Sequence, residues 1–180
     1  MARDVSVNDF GLIIAYVLPG FTAVCGTAWA TGGLDWRALL ADGPTVGGVF
    51  LLTVASLGVG LAISTVRWLV IDPLHHATGV RPPPRNFAAL CRNVEAYAFL
   101  NDAHYRYYQH AAGMLLATAW VYAAWRWMNP GWSVGLPESG ALAACLLYYL
   151  GSRDSLMKFY DRTCAVLQAP GQAGGEMTEG

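Results

Sequence analysis

Val46-Gly47-Gly48-Val49-Phe50-Leu51-Leu52-Thr53-Val54-Ala55-Ser56-Leu57-Gly58-Val59-Gly60-Leu61-Ala62-Ile63-Ser64-Thr65-Val66-Arg67-Trp68-Leu69-Val70-Ile71 contains a single charged residue, Arg67, close to its end. A helix needs roughly 20 residues to cross the hydrocarbon of a bilayer, and this run exceeds that length. It lacks the apolar–polar alternation of a barrel strand, and an unpaired strand would leave its peptide groups unsatisfied in lipid. The stretch predicts a transmembrane helix.

Three further runs have the same character. One covers 12–31 after a candidate cap at Asn8 or Asp9, another 108–128 with Arg126 near its end. The last covers 138–151 after Pro137, a favourable first helical position, and continues as a polar helix to 168. The composition agrees. Of 180 residues, 55% are hydrophobic and only 13% charged, about half the usual charged share of roughly 25%. Eleven basic and twelve acidic residues give a net charge of −1, which offers no general attraction for nucleic acid. The expected architecture is an all-α integral membrane bundle of four transmembrane helices with a cytoplasmic helical base. It forms a single domain over 1–168, followed by a Gly-rich flexible tail, 169–180.

The first run resembles a signal peptide in its Ala28-Trp29-Ala30 triplet. Arg3, however, is offset by Asp4 and Asp9, so the expectation is a retained helix. Basic residues favour the cytoplasmic side. Arg67, Arg81, Arg85, Arg92 and Arg106 flank or fill the middle segment, 72–107, and Arg153, Lys158 and Arg162 follow the last run. Both termini and the middle segment are therefore expected in the cytoplasm. Trp29, Trp36, Trp125, Trp127 and Trp132 then gather at the opposite interface, a depth that indole rings favour. With no eukaryotic sorting signal evident, the bacterial inner membrane is the expected location.

Asp72-Pro73-Leu74-His75-His76 is expected to break the second helix, and Arg81-Pro82-Pro83-Pro84-Arg85 to form a stiff linker. Asn86 then caps a helix whose apolar side includes Phe87, Leu90, Val94 and Ala98, a pattern suited to the interface or to the underside of a bundle. Beyond the fourth span, Leu156, Phe159 and Thr163 form a stripe that needs a mate, and Asp154 can pair with Lys158. The Pro19-Gly20 pair predicts a kink in the first span.

Two clusters are candidate sites. Asp102, Arg106 and His110 recur every four residues and share one helix face, while His104 and Tyr108 share another. Together they suit a gate or a partner contact at the cytoplasmic mouth; Tyr, His and Arg also suit a headgroup anchor. Ser56, Gly60 and Ser64, again four apart, predict helix packing or a pore lining, and Gly58 with Ala62 forms a second such pair.

Catalytic chemistry is not indicated. Arg106 and His110 superficially resemble the Arg and His of some helical ribonucleases, but that spacing is longer. No Ser-centred elbow, zincin helix or phosphate loop occurs. His75, His76, His104 and His110 form no His-x-x-x-His pair, so neither metal nor other cofactor is expected. Cys25, Cys91, Cys145 and Cys164 fall in spans or on the cytoplasmic side, and no disulfide is expected. No span has a charge near its middle, which argues against a pump or coupled transporter.

The format of a small four-span protein with a polar cytoplasmic mouth resembles, in architecture only, the membrane-disrupting effectors of bacterial antiphage systems. The small-residue stripe, the absence of catalytic motifs and the polar inner mouth together lead to the expectation of an oligomeric membrane effector or channel, opened by a cytoplasmic partner. The alternative is a non-conducting adaptor that holds a cytoplasmic protein through 72–107 and 152–168. The expected partners are thus the lipid bilayer, further copies of the chain and a cytoplasmic protein.

Overall fold

The computed structural model describes residues 11, 13–33, 43, 45–84, 86–131 and 135–168. Among these, 87% are helical and none is in a strand. A π-helical turn, Ile13–Val17, leads into α1 (Leu18–Ala30), followed by α2 (Val46–Ala77), α3 (Phe87–Arg92) and α4 (Val94–Leu100). A second π-turn, Asn101–Tyr105, joins α4 to α5 (Arg106–Met128), and α6 (Leu136–Gln168) completes the chain. Successive long helices run in alternating directions. The start of the first helix, the end of α2, the start of α5 and the middle of α6 therefore share one level, here called the base end.

Two helices are long and apolar enough to cross a membrane: Ile13–Ala30 and Val46–Ala77. α5 and the first half of α6 do not reach the same hydropathy: in α5 Trp, Tyr and Ala stand where α2 has Leu, Ile and Val, and the apolar run of α6 is short, bounded by Glu138 and by Arg153-Asp154. The second helix is also longer than the sequence indicates. Pro73 lies inside it, although proline has no N–H to offer the carbonyl one turn back. Side chains of the supposed breaker, described below, tie this turn to α5 and α6. The helix stops instead at Thr78, whose hydroxyl donates to the Leu74 carbonyl (2.9 Å), and at Gly79, whose φ of 99° an L-residue rarely adopts.

α1 sits between α2 and α5, and the first helix meets α2 at backbone contact. A Cβ on Gly20 would fall 1.8 Å from the Ser56 carbonyl oxygen, and one on Gly60 would fall 1.9 Å from that of Tyr16. Pro19 packs on Gly113 of α5. Pro19 stands in the first turn of α1, just after the π-turn, so the local departure from α geometry precedes the proline.

The cap at Asn86 forms as expected, accepting from the Ala89 N–H at 3.0 Å. The helix that follows does not. It splits at Asn93, whose side chain donates to the Ala89 carbonyl (3.1 Å) and whose backbone leaves the helical region. The break resets the helical face, and Phe87, Val94 and Ala98 are exposed while Ala89 and Leu100 are buried. The α6 stripe finds its mate within the chain. Leu156 joins Ile71, Val80, Tyr108 and Ala112 in the core, and Phe159 meets Tyr97 and Tyr105. The expected Asp154–Lys158 pair closes at 2.6 Å. Asn8, Asp9, Trp36, Trp132 and 169–180 lie outside the described residues.

Candidate functional site: a buried polar cluster at the base end

About six turns of uncharged helix lead to Arg67, and the structure buries this guanidinium rather than freeing it: its side chain is 6% exposed. Its Nη1 lies 3.3 Å from Asp72 Oδ1, five residues further along α2. The Tyr108 hydroxyl, from α5, donates to the same carboxylate oxygen. The guanidinium also lies over two rings, 5.1 Å from the Tyr108 centroid and 5.9 Å from that of Tyr105, a cation–π arrangement. Asp72 thus serves an arginine of its own helix and a tyrosine of the next. A charge buried this far is tolerated only when paired.

One turn later, His75 binds α2 to α6. The residue has no exposed surface, and its Nε2 is 3.0 Å from Ser152 Oγ. The single Ser152 hydroxyl proton goes to the Tyr149 carbonyl (2.8 Å), so Nε2–H must be the donor and Ser152 the acceptor. This assigns the tautomer and leaves Nδ1 a bare lone pair with no partner in the protein. The ring stacks on Tyr149 at 5.2 Å and meets the Tyr108 ring edge-on at 6.0 Å. Arg153 donates to the Thr78 hydroxyl (2.7 Å) and carbonyl (2.9 Å). His76 Nε2 lies 3.1 Å from the Tyr160 hydroxyl. Burial, and then the Asp72 charge, push the Tyr160 pKa up to about 12, so its phenol stays protonated through the neutral range.

The expected mouth residues are all at this level but do not act as one ladder. Asp102 and Arg106 pair at 2.7 Å. His110 turns away to the π-turn before α1, its Nδ1 donating to the Ile14 carbonyl at 3.1 Å. The cause lies in the first helix: counting five residues on, as in a π-turn, Ile14 faces Pro19, which has no N–H. His104 meets Arg162 of α6 and Tyr108 meets Asp72, so the pair expected on one face reaches two different helices. The π-turn at Asn101–Tyr105 shifts the register between His104 and Tyr108, while Asp102 and Arg106 pair across it all the same.

The packing stripe is occupied from within. Ser56 and Gly60 are buried against the first helix, and Ser64 is half-buried. Gly58 and Ala62 face outward, and nothing lies within 4 Å of a Cβ placed on Gly58. An open apolar cleft of about 420 Å³ lies between α1, α2 and α5, with Ala23, Ile63 and Trp120 in its walls. Among the described residues no three His, Cys, Asp or Glu side chains converge as a metal site would require.

Sequence reasoning found Asp102, His104, Arg106, Tyr108 and His110, but it missed Arg67, Asp72, His75 and Ser152 as a centre. One signal was available. Arg67, the lone charge of an apolar helix, needs a buried partner, and Asp72 is the nearest carboxylate in sequence. Compared with protein-family models, curated proteins and solved structures, the chain matches none of them.

Proposed function

We propose that the chain is a multi-span protein of a bacterial inner membrane, with four helices in lipid, both termini cytoplasmic, and a helical base that holds a cytoplasmic protein. The observation that carries this reading is the bare surface of α2. Only 11% of its most apolar 18-residue window is buried, with Phe50, Leu51, Leu61 and Leu69 each more than half exposed. Exposed apolar area on that scale has no place in water. Leu142, Leu146, Leu147 and Leu150 continue the apolar surface on α6, which supports placing the later helices in lipid as well. Along α2 the membrane-spanning stretch is 46–71, and 72–77 belong to the base. Phe87, Val94 and Phe99 project from the base as an uncovered apolar surface, the feature an adaptor needs.

A second reading, an oligomeric effector or channel, has one observation in its favour. Gly58 and Ala62 form an open small-residue pair through which α2 can approach a further copy closely. In a single chain Ser56 and Gly60 are packed against the first helix, so conduction requires an assembly. Reconstitution in dye-loaded vesicles separates the two readings. An adaptor leaves the vesicles sealed, and photo-crosslinkers at Val94 and Phe99 in native membranes then capture one cytoplasmic protein reproducibly. Dye release, abolished by Gly58→Leu, establishes the channel instead.

A further inference from the structure

We propose that His75 is a proton-operated latch that fastens the base end of α2 to α6, closed while its imidazole is neutral and released when the ring takes a second proton. The inference rests on the packing around the ring and does not depend on whether the chain anchors a partner or conducts.

Neutral His75 is well served. Nε2–H donates to Ser152, the ring stacks on Tyr149, and bare Nδ1 points into protein with no donor opposite it. An imidazolium carries two N–H donors, and Nδ1 has neither a protein acceptor nor contact with water. A buried donor left without a partner opposes the closed state.

The charges around the ring act in the same direction. From α6 it faces the Arg153 guanidinium, together with the uncharged Tyr149 and Ser152. From α5 it faces Tyr108, and within α2 it faces His76 and Asp72. Arg153, and after it His76, oppose a second positive charge on the ring. Asp72 attracts one, but its Oδ1 already accepts from Arg67 and Tyr108. Burial first, and then Arg153, hold the His75 pKa below the ordinary imidazole value, with Asp72 opposing.

The sign follows. A histidine whose pKa falls on folding contributes its full stabilisation above its unfolded value of about 6.5, and loses it as the pH drops through the lower folded value. Among the described residues, the side-chain hydrogen bonds that join α2 and its cap to α6 lie at this end: His75–Ser152, His76–Tyr160 and Thr78–Arg153. Losing the buried one loosens α6 just where it leaves the bundle for the base.

The test uses the full chain in phosphatidylcholine nanodiscs, with Cys25, Cys91, Cys145 and Cys164 replaced by Ser. Spin labels go on Leu74→Cys and Met157→Cys, both at exposed positions on α2 and α6. Pulsed dipolar spectroscopy should give one narrow distance at pH 8. A longer second population should grow below pH 6.5, with a ratio changing by about tenfold per pH unit at its steepest, the slope of one proton. His75→Gln, which keeps a neutral donor, should hold the short distance throughout. His76→Gln and His104→Gln should retain the response; His104 is the control because burial and then Arg162 lower its pKa too. An unchanged distance from pH 8 to 5, or a response that survives in His75→Gln, overturns the latch. Should His75→Gln fail to fold, Ser152→Asp decides: a carboxylate facing the imidazolium should make acid favour the short distance, and a longer one defeats the proposal.

Discussion

Gly58 and Gly60 look interchangeable in an apolar run, yet they occupy opposite situations. Gly60 touches the Tyr16 backbone, while Gly58 faces open space. Gly60→Ala should therefore destabilise the protein by about 1–3 kcal/mol or more, since a backbone carbonyl cannot yield as a side chain does. Gly58→Ala should stay within about 0.5 kcal/mol of the parent. Denaturation in detergent, followed by circular dichroism, measures both. Arg67 is the more telling residue. Arg67→Ala leaves the Asp72 carboxylate, 18% exposed, without its cation, and the expected loss is about 3–5 kcal/mol. Replacing both, Arg67→Met with Asp72→Leu, should recover much of that loss, and a double variant no more stable than the single one would show that the pair is not coupled. The charge at 67 was legible in the sequence. Its partner was not, because Asp72 precedes a proline and resembles a helix breaker until Tyr108 is seen folded against it.

The elements show the same division between local and tertiary information. The cap at Asn86 was legible because its chemistry is local; Thr45, which caps α2 by accepting from the Gly48 N–H at 3.1 Å, has the same chemistry and is a cap that sequence reasoning missed. The α6 stripe was legible because a helical spacing of apolar residues implies a buried face. Two features were not. Pro73 remains helical because tertiary contacts hold its turn, and Asn93 ends a helix that the apolar spacing alone would have continued. Likewise a π-turn leaves no mark in residue spacing, so the four-residue interval puts His104 and Tyr108 on one face although the register shifts between them, and nothing in the spacing shows that the Ile14 carbonyl draws His110 away. Phe159, which binds α6 to Tyr97 and Tyr105, makes the base testable as a unit. Phe159→Ala should cost about 3–5 kcal/mol and free α3 and α4 from α6. Limited proteolysis of the exposed linker at Arg81 should quicken markedly, and an unchanged cleavage rate would mean that other contacts hold the base.

At the scale of the molecule, the distribution of apolar surface is what the proposed membrane setting rests on. The polar cluster, the pair Asp102–Arg106 and the exposed charges of α6 gather at the base end, whereas Trp29, Trp125 and Trp127 lie at the other. Between them α2 presents bare hydrocarbon. Embedding that surface in lipid reconciles an exposed apolar belt with a buried ionic cluster at its edge. The direct measurement is residue-by-residue accessibility in the reconstituted protein, using nitroxides at Leu51, Leu57, Leu61 and Leu69 in a cysteine-free background. Power saturation should show each label accessible to oxygen, which partitions into lipid, and shielded from a water-soluble nickel chelate. A label at Asp154, exposed in the base, should show the reverse. If the four α2 labels are instead as accessible to the chelate as the label at Asp154, α2 lies in water and the account of this protein as a membrane bundle is wrong.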